Sequence, residues 1–437
     1  MICLVGDILT DVTIATSSTQ CKMRLGGIVH AARGLWALGI DYSVAYFAPS
    51  YLDIHINEYL QKIGCSAIHK IGTVIDCPYT MLISEPKEIG NQGYEFLYHD
   101  SISIEYDWEE ATQLAEYDVL MLISGNYNME LVLDHCHVSQ SLYVDVANNY
   151  NSLNQLSRKH RFNTLFVSTS SDLFKSVFSN WESFSRQMNA YADRIVLKEN
   201  RGGSRGYDGL TGETYQIPSQ TSIVSNSVGV GDVYDVTAVA LSDGDFESGL
   251  FYASWVAMHY AKTTFIDDFK QSVSGVLKIR KEKLKMMEGC SLPWEIRQNC
   301  NLYIAAPDFD FMNTKPIDQL CDSLTYHNFV PRRPIKENGQ MSAHPSNNER
   351  QELYHGDMTL FGECNMLVAV LLNNDPGTLI EIGMSVERGL PTLVYDPYGI
   401  ANNCMLTECP TLISSDLDAI IAKVFIEYSK LYKNGII

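Results

Sequence analysis

Short apolar runs alternate along the chain with longer segments in which apolar residues recur at helical spacing. Met1–Val5, Ser43–Phe47, Val119–Ile123, Leu142–Val146, Thr164–Val167 and Arg194–Leu197 read as buried strands, while Ile28–Leu38 and Ile54–Ile63 read as amphipathic helices. This alternation predicts a mostly parallel sheet with helices on both faces. Pro78–Pro86 and Gly93–His99 read as strands with little helix between them, which predicts a small antiparallel piece standing off the main sheet. The character changes near Ser274–Cys300. A basic, helical-looking run, Lys278 to Lys285, is followed by Gly289, Pro293 and Trp294, and a domain boundary is expected at 290–300. Beyond it the pattern resumes at smaller scale. Leu302–Ala305, Asn365–Leu372 and Thr392–Tyr395 read as strands, and Ile317–Tyr326 and Thr378–Arg388 as helices, the last stopped by Gly389 and Pro391.

Composition narrows the classes of partner. The 437 residues are 46% apolar and 19% charged, enough for more than one buried core. With 32 basic and 52 acidic residues the net charge is −20, which disfavours non-specific nucleic-acid binding and anionic membranes. A small substrate is expected instead. No apolar run reaches the roughly 18 residues of a membrane span. The first residues, through Asp7, are too short an apolar run for a signal peptide and read as a first strand. The 11 cysteines form no C-x-x-C pair, so a reducing cytoplasm is the expected compartment. His135-Cys136-His137 lacks a third ligand and reads as loop or core, so no metal site is assigned. The basic run reads as a solvated helix face.

Asn226-Ser227-Val228-Gly229-Val230-Gly231-Asp232 precedes an apolar helical run, Val233–Leu241. Two glycines permit a tight turn whose N–H groups converge, and the following helix adds its positive end. Such a hole stabilises a transferring phosphoryl group, and Asp232 would take the proton of an acceptor hydroxyl. The plain alternative is a loop with Asp232 as helix N-cap.

This turn, placed late in a long α/β unit, resembles the second signature of the ribokinase-like (PfkB) carbohydrate kinase family. Gly26-Gly27 with Ala31-Ala32 and Leu38-Gly39 resembles its first signature, and Asp11 falls where the family has a substrate-binding Asp. Ile195–Gly206, with Gly203, looks like the family's strand and turn at the nucleotide phosphates. The resemblance implies a three-layer α/β domain over 1–290, with Pro78–His99 as a small β lid. It implies sugar and nucleoside ligands at Asp11, Gly26 and Gly27, an anion hole at Gly229, Val230 and Gly231, and Asp232 as base. ATP and magnesium are implied if the domain is active. The chain departs from the family at His30, where Asn is usual. It departs again at Val167–Asp172, which lacks the Asn-x-x-Glu pair, and at Lys198-Glu199, where a small turn is usual.

The second constellation is Asp375-Pro376-Gly377-Thr378-Leu379-Ile380-Glu381-Ile382-Gly383, after a buried strand and opening a helix. Strand-end loops of open α/β sheets are ligand sites. Two carboxylates there would serve as nucleophile and proton manager at an anomeric carbon. The plain alternative makes Thr378-x-x-Glu381 a capping box. Together with Tyr303-Ile304-Ala305-Ala306-Pro307, Asp357, Gly389-Leu390-Pro391 and Asn403-Cys404-Met405, the segment resembles the nucleoside 2-deoxyribosyltransferase family. That implies a doubly wound, flavodoxin- or Rossmann-like domain over 300–437. Glu381 would be the glycosyl-accepting nucleophile, Asp357 and Asp375 the acids near base and sugar, and Tyr303 the orienter of Glu381, with Tyr428 or Tyr432 as a second phenol. Asn403 and Met405 would reach a neighbouring subunit's site, so a homodimer or larger homo-oligomer is expected. The polar insertion Arg332–Arg350 is expected to reshape the pocket. The expected function is nucleoside or nucleotide metabolism, with N-glycosidic cleavage or deoxyribosyl transfer beside a kinase-like half. The rival is a nucleotide-sensing protein whose kinase-like half is chemically degenerate and controls the other.

Overall fold

The computed structural model describes every residue except 17–19, 98–101, 138, 157–158 and 243. The chain divides into two compact units. The first holds Met1–Lys87 and Gln92–Ser291, and the second holds Glu88–Asn91 and Leu292–Ile437. Among the described residues no helix is long and apolar enough to cross a membrane.

The first unit is built on a ten-stranded sheet. Its strand order is Glu213–Ile217, Ser204–Asp208, Ala192–Lys198, Phe162–Ser168, Ser141–Asp145, Val119–Ile123, Ile2–Asp7, Tyr42–Ala48, Ile68–Ile75 and Ser103–Tyr106. The strands from Ala192–Lys198 to Ile68–Ile75 are parallel, and antiparallel strands close both edges. Ile2–Asp7 lies between two parallel neighbours and is buried at every position, which is why it reads as a continuous apolar run rather than an alternating one. The helices Val29–Leu38 and Val230–Leu241 pack on each other. Gly34 permits this approach, since a Cβ there would lie 3.0 Å from Val236. Gly27 adopts φ +60°, and a Cβ there would lie 2.0 Å from the Asp7 carbonyl oxygen, so only glycine lets the chain turn past the end of the first strand.

A separate four-stranded sheet has the order Lys22–Leu25, Thr10–Thr13, Thr80–Ile83, Tyr94–Phe96. It is mixed rather than purely antiparallel, because Thr10–Thr13 and Thr80–Ile83 run parallel. These two strands are joined by a long excursion through the main sheet, not by a hairpin, and a crossover delivers parallel partners. Residues 98 and 99 of the expected strand Gly93–His99 lie outside the described residues. The basic run is helical only over Lys281–Met286, where Lys281 and Lys285 pair with Asp245 and Glu247 at the surface.

The second unit carries a five-stranded, wholly parallel sheet in the order Val330–Arg332, Asn301–Ala305, Met366–Val370, Thr392–Tyr395, Leu412–Ser414. Numbered along the chain this is 2-1-3-4-5, a doubly wound sheet that reverses direction beside Asn301–Ala305. The central strand Met366–Val370 is buried throughout.

Candidate functional site

In the second unit the helix Pro376–Glu387 begins beside the carboxyl end of the central strand. Asp375 is its N-cap. One carboxylate oxygen, Oδ2, accepts from the Thr378 N–H at 2.8 Å and from the Thr378 hydroxyl at 3.0 Å. The N-cap therefore lies three residues before Thr378, and the capping box Thr378-x-x-Glu381 does not form. Glu381 lies in the second turn, and its Oε1 accepts from the Tyr303 hydroxyl at 2.6 Å. Tyr303 is almost wholly buried on the strand Asn301–Ala305, so its ring is fixed and its hydroxyl points one way. Burial pushes the Glu381 carboxyl up to about 7. The Tyr303 bond opposes the rise, while Asp357 and Asp375 add to it.

Asp357 stands on the helix Asn347–Glu363, and burial raises its carboxyl against the bond from Asn338. That bond, Asn338 Nδ2 to Asp357 Oδ1, is 2.8 Å. Asn338 ends the helix Pro334–Asn338 inside the polar insertion. Arg333 anchors the insertion by donating to both Asp308 oxygens at 2.8 and 2.7 Å, and to Asp318 at 2.8 Å. Asn338, Arg333 and Asp308 were not singled out from sequence. Asn338 and Asp357 are 19 positions apart and Arg333 and Asp308 are 25 apart, and no local pattern marks either pairing. Tyr428, in contrast, is not a second orienter. Its hydroxyl donates within reach of the Asn301 carbonyl and the Asn365 side chain on the buried side of the sheet. Asn403 caps the helix Cys404–Glu408 through the Met405 N–H, and Met405 is exposed.

In the first unit Gly229, at φ +78°, is the N-cap of Val230–Leu241, so Asp232 lies inside the first turn and is not the cap. The Val230 N–H is taken by the Ser227 carbonyl, which leaves the next two N–H groups, Gly231 and Asp232, at the open helix end. Burial pushes the Asp232 carboxyl up to about 7; Asp145 and Asp11 add to this and Lys198 opposes it. Lys198 ends the strand Ala192–Lys198 and donates to Asp145 at 2.9 Å and to Asp235 at 2.6 Å. Its ammonium lies 3.3 Å from where a Cβ of Gly231 would be, at the same helix end. Burial disfavours that charge, but the two carboxylates more than offset it and hold Lys198 above its usual range. Asp235 is buried, with Oδ1 lacking a partner, and burial with Asp145 beside it holds its carboxyl well above the usual range.

Asp11 is buried and accepts from His30 Nε2 at 2.8 Å, with Arg24 at 3.9 Å. Gly26 is packed on Asp11, a Cβ there falling 2.2 Å from Oδ1, and a Cβ on Gly229 would fall 2.1 Å from the His30 ring. The His30 ring thus sits against the turn that opens the helix Val230–Leu241, between Asp11 and Gly229. Gly203 is placed differently. Its φ is +102° and a Cβ would strike the Ile217 carbonyl, so its neighbours are the backbone at Ile217, Ser219 and Cys290 rather than Asp232. Asp7, the last residue of the first strand, is buried, its Oδ2 accepts from the Asn126 N–H at 2.7 Å, and its Oδ1 has no partner. At Val167–Asp172, Ser168 and Ser170 bond to each other and Asp172 pairs with Lys175 at the surface, a set that offers no carboxylate pair for magnesium. His135 bonds to the Leu131 carbonyl and stacks on Trp108.

Comparison with known proteins matches both halves. Residues 302–408 match the family model described as nucleoside 2-deoxyribosyltransferase, a span that contains Tyr303, Asp357, Asp375, Glu381, Asn403 and Met405. Fructokinase with bound ATP from Xylella fastidiosa is 10% identical, with 63% of this chain and 98% of that one covered and a TM-score of 0.50. Ribokinase from Arabidopsis thaliana, complexed with ribose and ATP, is 15% identical over 64% of this chain and 99% of that one, with a TM-score of 0.46. Ribokinase from Thermotoga maritima is 15% identical over 64% and 99%, with a TM-score of 0.45. A search of curated proteins finds no match. The chain joins a unit of ribokinase-like fold to a nucleoside 2-deoxyribosyltransferase domain.

The Lys198 network generates a stability prediction. Lys198→Met leaves Asp145 and Asp235 buried without their counter-ion, and loss of one partner of a buried ion pair costs about 3–5 kcal/mol. The Asp235 carboxyl, held above its usual range, takes up a proton as pH falls, so the loss should be largest near pH 8 and shrink toward pH 5. Urea unfolding at the two pH values measures it; a loss below about 1 kcal/mol at pH 8 contradicts the assignment.

Proposed function

We propose that the chain is an enzyme of nucleoside or nucleotide metabolism that cleaves or transfers N-glycosidic bonds at Glu381. The observation that carries this reading is the Tyr303–Glu381 hydrogen bond of 2.6 Å, beside Asp357 and Asp375, within the segment matched to the nucleoside 2-deoxyribosyltransferase family. In this mechanism the Glu381 carboxylate attacks the anomeric carbon as the C–N bond to the base breaks, and the bonding pair leaves with the base. Asp357, whose carboxyl is raised by burial, gives the departing base its proton. The glycosyl ester on Glu381 is then released to water or to a second base, as in a retaining two-step displacement. Tyr303 fixes which Glu381 oxygen is free to attack, because the other accepts its hydroxyl. Asn338 holds the Asp357 carboxyl in place. Asn403 and Met405, exposed on the surface, are assigned to the cleft of a second copy in a homo-oligomer.

For the first unit, the reading favoured is a ligand-binding domain without phosphoryl transfer. Lys198 supports it. ATP is present in the Xylella fastidiosa fructokinase. Here a nucleotide phosphate at the Val230–Leu241 helix end would meet a lysine already neutralised by two carboxylates, with Asp232 adding further negative charge. The residues at Val167–Asp172 do not suit magnesium, so no step is drawn through ATP and magnesium. Incubation with ATP and a panel of sugars and nucleosides should release no ADP above background. Turnover in the range of about 1–100 s⁻¹, usual for kinases, would restore Asp232 to the role of base.

Two predictions concern Glu381. Glu381→Gln keeps an acceptor for Tyr303 and serves no cap, so stability should change by at most about 1 kcal/mol, the size of a capping term. The amide cannot form the glycosyl ester, and release of free base from nucleosides or nucleoside monophosphates should fall by several orders of magnitude. Chromatography of the free base decides this, and release at the parental rate removes Glu381 from the chemistry.

The pH profile supplies an independent check. The nucleophile acts ionised, so kcat/KM should rise about tenfold per pH unit on the acid side up to about 7, and it should fall again at higher pH, where Asp357 no longer carries the proton it gives to the base. The Tyr303 bond favours the carboxylate, so in Tyr303→Phe the rise should move to higher pH. An acid limb that is flat between pH 5 and 7, or one that Tyr303→Phe leaves in place, contradicts the assignment.

A further inference from the structure

The first unit contains a cavity of about 330 Å³ that the chemistry above does not use. It lies between the helices Val29–Leu38 and Asp53–Lys62 and the turn that joins Phe246–Lys262 to Ile266–Val276. Tyr59, Tyr260, Phe265 and Phe269 line it, together with two guanidinium groups, Arg24 and Arg33. Two arginines on one small cavity are unexpected in a chain of net charge −20.

Arg33 is the informative one. It is only 4% exposed. Its Nε donates to the Tyr59 hydroxyl at 2.8 Å and its second terminal nitrogen to the Leu25 carbonyl at 2.9 Å. The other terminal nitrogen donates to His30 Nδ1 at 3.1 Å and to the Tyr260 hydroxyl at 3.3 Å. All four acceptors are neutral. A guanidinium only donates, so Nδ1 of His30 is an acceptor, and the ring proton sits on Nε2, where it is given to Asp11. Burial, aided by the charges of Arg24 and Arg33, pushes the His30 imidazole down to about 4 against the Asp11 bond, so the ring is neutral. Among the described residues no carboxylate oxygen lies within ion-pair reach of Arg33. A buried charge without a counter-ion is expensive, and proteins ordinarily pair it. Arg24 is spent only in part. One terminal nitrogen donates to Asn226 Oδ1 and the Val228 carbonyl at 3.0 and 3.1 Å, while Asp11 is 3.9 Å from its Nε. Lys22 reinforces the sign, its ammonium bonded to Thr264 Oγ1 at 2.7 Å and lying 5.6 Å from the Phe265 ring centre. The acidic group on the lining, Asp267, is exposed on the rim.

We propose that this cavity binds a nucleoside monophosphate, with the phosphate on Arg24 and Arg33 and the base against the aromatic wall of Tyr59 and Phe265. The phosphate supplies the counter-ion that the buried Arg33 lacks, through the fork geometry in which guanidinium groups hold phosphates. A flat base suits aromatic walls. The volume is at the small end for ligand pockets, which favours a monophosphate over a triphosphate. Arg33 connects through His30 to Asp11, so the occupied cavity and the Asp11 pocket share one hydrogen-bonded chain. The proposal does not depend on Glu381 chemistry, nor on whether the first unit transfers phosphoryl groups.

The test uses the full chain, calorimetric titration and hydrogen–deuterium exchange, with AMP, CMP, adenosine, ribose 5-phosphate and inorganic phosphate as probes. At least one of AMP and CMP should bind at least tenfold more tightly than adenosine, ribose 5-phosphate or inorganic phosphate. Exchange should slow in segments 22–33 and 260–269. Arg24→Gln should weaken the nucleotide at least tenfold. Phe265→Ala changes an exposed side chain, so it should leave the fold intact while weakening the nucleotide and leaving any ribose 5-phosphate binding as it was. Four results would overturn the proposal: no nucleotide binding at millimolar concentration; protection confined to segment 302–408, the Glu381 unit; inorganic phosphate bound as tightly as the nucleotide; or parental nucleotide affinity in Phe265→Ala.

Discussion

Parallel strands leave all their carboxyl ends, and the loops that follow them, on one edge of a sheet, and both units gather their polar chemistry there. Asp7, Asp145 and Lys198 are each the last residue of a parallel strand in the first unit. The helix that carries Asp232 and Asp235 opens beside them. In the second unit the Pro376–Glu387 helix opens after the central strand and turns Glu381 back to Tyr303 on the neighbouring strand. Antiparallel hairpins would scatter these residues over both edges. The apolar strands are therefore the precondition of the polar sites.

Once gathered, acidic groups in low-dielectric surroundings repel one another, and each unit resolves the problem in its own way. In the first, a lysine ammonium enters between Asp145 and Asp235, and a histidine donates to Asp11. Those partners offset carboxylate charge from within the chain and leave less for a ligand to do. In the second, no cation among the described residues pairs with Glu381. A tyrosine hydroxyl is its partner, and burial with two nearby carboxylates keeps its proton affinity close to neutrality. A carboxyl poised in that way can be ionised for attack without being locked in an ion pair. The contrast supports chemistry in the second unit and ligand recognition in the first.

The polar insertion illustrates how a site is completed from outside the strand-end loops. Arg333 fastens the short helix Pro334–Asn338 to Asp308 and Asp318, and Asn338 then reaches Asp357. Gly356 leaves the space, since a Cβ there would lie 3.0 Å from the Asn338 side chain. Substitutions in this segment act on Asp357 without touching the reacting bond, so they belong with positioning rather than with the chemistry itself.

Much of the fold was legible in the chain. The runs that read as strands, such as Val119–Ile123 and Thr392–Tyr395, are strands because an apolar stretch of that length has few other ways to bury both faces. The glycine turns were legible too, since Gly27 and Gly229 take positive φ that other residues rarely adopt. Local pattern misjudged features that depend on distant partners. The small sheet was expected to be antiparallel, but the pairing of Thr10–Thr13 with Thr80–Ile83 is parallel. Thr378 and Glu381 have the spacing of a capping box, yet Asp375 takes the cap and frees Glu381 for Tyr303, 78 positions away. Tyr428 had the right chemistry to orient Glu381, but its helix turns it to the other side of the sheet. The uncompensated Arg33 has no sequence signature at all. Sequence by itself determined the alternation of elements and the residues able to do chemistry, because both follow from local periodicity and side-chain type. Only the tertiary structure decided which carboxylates are paired and which are left to act, because hydrogen bonds and ion pairs depend on distances of a few ångströms between residues far apart in the chain.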